Sequence, residues 1–144
     1  MASAFLVVAG LMSLAVALFH VVAAFSPALQ RRFGAPEQLM TAGPVVMAAA
    51  SLGLAAVFAA WGAYGFSGAG AIAELPLLAP GLVVIGAVYA LRGLLLAPQL
   101  LAATGRLQGD IPTDRDSLVS SAVSLGIGLL YLAGTAASWS TLTA

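Results

Sequence analysis

Four stretches of this chain, residues 4–25, 40–63, 75–97 and 118–137, are continuously apolar and, apart from Arg92, free of charged side chains. A bilayer hydrocarbon core about 30 Å thick is crossed by about 20 residues rising about 1.5 Å each, so each stretch predicts a transmembrane helix. All four are two to three times the length of a membrane β-strand and lack the alternation of apolar and polar residues that a barrel requires. The reading is therefore all-α: a polytopic membrane protein, an antiparallel bundle of four transmembrane helices forming a single domain over residues 1–144.

Composition closes off the water-soluble alternatives. Of 144 residues 62% are hydrophobic and 7% charged, with a mean hydropathy of +1.08, against roughly 25% charged in ordinary soluble domains. Ten charged side chains cannot coat so apolar a surface with water-compatible groups. The formal net charge is +0 and the basic residues are five arginines without a lysine, so the basic stripe needed for nucleic acid is missing. With no cysteine, disulfides and thiolate chemistry are excluded.

The connectors carry turn and cap chemistry. Ser26-Pro27 and Gly34-Ala35-Pro36 are expected to close the first helix, Ser67-Gly68-Ala69-Gly70 to turn between the second and third, and Pro98 and Pro112 to bracket the third connector. Thr113-Asp114-Arg115-Asp116 reads as a capping box for the fourth helix, while Pro44 and Pro80 fall in first turns, where a missing N–H costs little. Glu74 is expected at the start of the third helix, facing the positive end of its dipole.

Arg31, Arg32, Arg106 and Arg115 fall in connectors one and three, and connector two has no basic residue. Cytoplasmic connectors retain arginine, so both termini are expected outside the cytoplasm of a bacterial inner membrane. Trp61, Tyr64 and Trp139 would then form an outer aromatic belt. The first run has no basic residue ahead of it and a basic pair after it, the reverse of a secretory signal, so it is expected to stay as a helix. Pro27 and Pro98, like Gly34 and Gly105, are 71 positions apart, two coincidences too few to establish a repeat.

Helices in lipid associate through small and hydroxylated residues. Such seams run along Gly10, Ser13, Ala17, His20 and Ala24; along Ala48, Ser51, Ala55 and Gly62; and along Ser117, Ser121, Ser124, Gly128, Tyr131, Thr135 and Ser138. Their mean spacing of about 3.5 implies left-handed crossings.

Two strongly polar side chains lie well inside the runs, His20 and Arg92, each about 9 Å beneath the same boundary. Tyr89 is one turn from Arg92, so a candidate ligand site comprises His20, Tyr89 and Arg92. Intramembrane ionisable groups are functional candidates by default, although arginine also extends its stem toward lipid phosphates. One histidine with no companion ligands argues against zinc or haem, and no cofactor is expected. Nor is there a catalytic triad, phosphate loop or carboxylate pair. In size and helix count the chain resembles the small four-helix multidrug exporters. Those exchange protons through a carboxylate in the first helix, where this sequence has His20 and no acid.

Two functional classes follow. One is a non-enzymatic accessory or structural membrane module, partnered by the lipid bilayer and by further copies of itself or a larger membrane complex. The other is a carrier or binding protein for an anionic or quinone-like amphiphile, using Arg92 for the head group and His20 for a proton.

Overall fold

The computed structural model describes residues 2–33 and 37–143. These form helices α1 (Ala2–Ala24), α2 (Pro27–Arg32), α3 (Glu37–Thr41), α4 (Pro44–Gly68), α5 (Leu78–Gly93), α6 (Leu96–Ala103), α7 (Arg115–Ala137) and α8 (Trp139–Leu142), with no strand among the described residues. Four spans are long and apolar enough to cross a membrane: Ser3–Ala24, Pro44–Gly68, Leu78–Ala103 and Arg115–Ala137. The Gly34-Ala35-Pro36 break lies outside the described residues.

Proline chemistry explains where the first helix stops. The Pro27 ring cannot coexist with an ideal helical carbonyl at Ala23. The chain resets at Ser26, whose hydroxyl accepts from the Leu29 N–H and caps α2. Buried Gln30 then donates its side-chain N–H to the Ala23 carbonyl at 2.8 Å, supplying a partner to the group the proline disturbs.

Several sequence-derived boundaries move. Pro98 does not terminate the third span; it sits in the first turn of α6, and the interruption falls at Leu94-Leu95, next to the Leu94 carbonyl its ring opposes. The second span runs on past Tyr64 to Gly68, so Tyr64 belongs to α4 and not to the connector. Glu74 lies outside the first turn of α5, which starts at Leu78. Asp114, one residue beyond the expected Thr113, caps α7 by accepting from the Ser117 N–H at 3.0 Å. Asp116 is not reciprocal to that cap; it pairs with Arg32 of α2.

Packing follows the small residues. The closest partnerships are α1 with α4 and α5 with α7; α1 also packs on α7, joining the two pairs, and α4 meets α5 more lightly. Between α1 and α4 the backbones touch: a Cβ on Gly65 would come within 2.9 Å of Gly10 Cα and of the Leu6 carbonyl oxygen. A Cβ on Gly128 of α7 would press on the Ala90 backbone and stand 2.9 Å from the Gly86 oxygen of α5. The seam residues Gly10, Ser13, Ala17 and Ala24, Ser51, Ala55 and Gly62, and Ser121, Gly128, Tyr131 and Thr135 are buried. Large apolar side chains such as Leu18, Leu91 and Leu129 face outward, the inversion expected where lipid is the solvent.

The two pairs share part of their order of elements, although α3 and α8 have no counterpart under the same shift. Moving Pro44, where α4 begins, by 71 positions gives Arg115, where α7 begins, and moving α2 by the same amount places it inside α6. The pairing register is kept as well. Leu14 lies against Gly62 in the first pair and Leu132 against Gly86 in the second, one residue from the positions the same shift predicts.

Candidate functional site

A hydroxyl chain crosses the molecular centre and touches all four long helices. Tyr89 Oη of α5 donates to Ser13 Oγ of α1 at 3.2 Å, Ser13 Oγ lies 3.1 Å from Tyr131 Oη of α7, and Tyr131 Oη donates to the Trp61 carbonyl of α4 at 2.7 Å. With Tyr89 and Tyr131 as donors, the Ser13 proton goes to Tyr131, and all three hydroxyl protons are used. Ser13, Tyr89 and Tyr131 are buried among Leu6, Leu82, Ile85 and Ile127.

The helical seams deliver these groups. Ser13 stands three residues from Gly10, where α1 and α4 approach closest, and Tyr131 three residues from Gly128, where α7 meets α5. Close backbones on both sides bring side chains of different helices within reach of one another. The rings of Tyr89 and Tyr131 stack at 6.1 Å with an interplanar angle of 9°.

From this centre an aromatic column runs toward the α2 end. Tyr89 meets Trp61 at 5.1 Å and Phe58 at 5.9 Å; Phe58 meets His20 at 4.9 Å; Phe19 then links His20 to Phe33. Partly buried Trp61 thus packs against the core through these rings. Tyr64 does remain near connector two, donating to the Pro76 carbonyl at 3.0 Å.

The three sequence-selected residues have different surroundings. Half-buried His20 contacts the Val16 carbonyl through Nδ1 at 2.8 Å. A carbonyl only accepts, so Nδ1 carries a proton and donates it to this contact. Tyr89 shares the Phe58 ring with His20 and is a member of the hydroxyl chain. Arg92 turns to α7, where Nη1 donates to Ser121 Oγ at 2.9 Å and Nη2 to Ser120 Oγ at 3.1 Å. Ser13, Phe58, Trp61 and Tyr131 were not singled out as site residues. Ser13 and Tyr131 lay on seams, but sequence spacing ranks a hydroxyl within a helix and does not tell which helix it will face.

Chemically the chain is a clamp. Proton transport along hydroxyls needs terminal groups that both take up and release a proton, and this chain ends on a peptide carbonyl. Ser13 has a phenol as its acceptor, not a histidine or carboxylate base, so it lacks the activation a nucleophile requires. Among the described residues, no three His, Asp or Glu side chains gather where a metal could sit. Comparison with protein-family models, with curated proteins and with solved structures finds no match.

Proposed function

We propose that the chain is a small, non-enzymatic accessory or structural module of a bacterial inner membrane. In this reading the four long helices form an antiparallel, left-handed bundle with both termini on the outer face, and the module associates with copies of itself or with a larger membrane complex. The observation that carries the reading is the Tyr89–Ser13–Tyr131–Trp61 chain, in which the central polar groups are spent on joining helices. The different partners of His20 and Arg92 also favour it over a carrier in which both grip one ligand.

The Arg32–Asp116 pair brings connector one to the start of α7 and so supports placing connectors one and three on the same side. Reporter fusions should give cytoplasmic activity at Gly109 and external activity at Gly70 and Thr143. A strain lacking the chain tests the function: His20→Ala and Arg92→Ala should complement its defect as well as the native sequence does. Loss of complementation by both, with normal membrane levels, would replace the structural reading with the carrier.

A further inference from the structure

The Arg92 guanidinium poses a problem of charge. It lies 14 residues into the Leu78–Ala103 span, about 21 Å from its start, leaving about 9 Å to the far edge of a 30 Å core. Its partner Ser121 lies six residues inside α7, again about 9 Å from the boundary. The two helices therefore agree on the depth. Among the described residues the one ion pair is Arg32–Asp116, so the charge of Arg92 is not balanced by a carboxylate.

A lone arginine at this depth ordinarily extends its stem and carries the charge to the interface. Here the guanidinium is retained by two serines. Ser121 is fully buried, and Ser120 is fixed by its own hydroxyl, which donates to the Ser117 carbonyl at 3.0 Å. The guanidinium has five N–H donors in a planar fork, and two of its nitrogens are engaged by these hydroxyls. Arg92 is exposed on the outer surface of the molecule, flanked by the exposed apolar side chains Val88, Leu91 and Val123. The cation is thus presented to lipid at a fixed level, beside a surface suited to acyl chains.

We propose that Arg92, positioned by Ser120 and Ser121, is a binding site for the phosphate of an anionic phospholipid on the α5–α7 face. Arginine matches phosphate oxygens with paired N–H groups, and a headgroup drawn toward it neutralises a charge that hydrocarbon cannot. The inference is independent of the structural-module reading and needs only that this face meets lipid.

Native mass spectrometry of the full chain in non-ionic detergent, with phosphatidylglycerol or phosphatidylcholine added, tests it. Phosphatidylglycerol should be retained about fivefold better, the preference one arginine confers near a membrane surface. Arg92→Gln should abolish that preference, and Ser120→Ala with Ser121→Ala should at least halve it, with helix content unchanged by circular dichroism. Arg92→Lys, which keeps the charge without the planar fork, should retain part of it. Equal retention of the two lipids by the native chain, which requires no variant, overturns the proposal. So does an undiminished preference in Arg92→Gln, or displacement of the lipid by millimolar inorganic phosphate, which would make the site one for a free anion.

Discussion

At the scale of single residues, the hydroxyl chain predicts unequal costs. Tyr89→Phe removes one hydrogen bond and leaves the ring in place, so it should destabilise the fold by about 1 kcal/mol, as interhelical bonds in lipid generally do. Ser13→Ala removes the middle link and deprives both tyrosines of a partner, so it should cost more, about 2 kcal/mol. Denaturant unfolding in mixed micelles reads both, and equal stability of Ser13→Ala and the native chain would contradict the clamp. Asp114 makes a pH prediction. The Ser117 hydroxyl, then its N–H, hold the Asp114 carboxyl below the usual carboxylate range. A depressed native value means the cap stabilises fully above the ordinary carboxylate pKa and fades as pH falls through the depressed one. Acid titration of helix content should show this loss in the native chain and lack it in Asp114→Asn. His20, Tyr89 and Arg92 could be selected from sequence because polar groups in apolar runs stand out. Their partners could not, because Ser13 and Ser121 differ from neighbouring serines only in what other helices bring to them.

At the scale of helices, glycines divide into contact points and open positions. Gly65→Ala forces a methyl against the α1 backbone and should cost about 1 to 3 kcal/mol. Gly53→Ala meets nothing within 4 Å and should be neutral or stabilising by up to about 1 kcal/mol through helix propensity. Thermal denaturation in one detergent compares them, and similar losses at both sites would show that the close approach is not what matters. The four spans were legible because length and apolarity alone demand them. The seams were legible too, since small residues recur at helical spacing. The breaks were less so: Leu94 and Leu95 are good helix formers, and the cause of the interruption, Pro98, lies downstream of where it acts.

At the scale of the whole molecule, the α1–α4 and α5–α7 pairs are joined chiefly through α1 and α7. Co-expressed as residues 1–72 and 73–144, they should co-purify from membranes, and Ser13→Ala should weaken the association because Ser13 bonds to residues of the other half. Failure of the native halves to associate would mean that connector two itself holds the bundle. Two spacings in the sequence hinted at a correspondence between the pairs, whereas the matched register emerges only when helices are seen side by side. The Arg32–Asp116 pair gives the molecule one further property. Four of the five arginines, and every acid except Glu74, belong to the end where that exposed pair sits, Arg92 lying inside its span. Counter-ions in one aqueous compartment can therefore loosen a tether between the halves, while brine on the opposite side meets almost nothing to screen. Dissolved salt thus acts on this tether from one side of the molecule only.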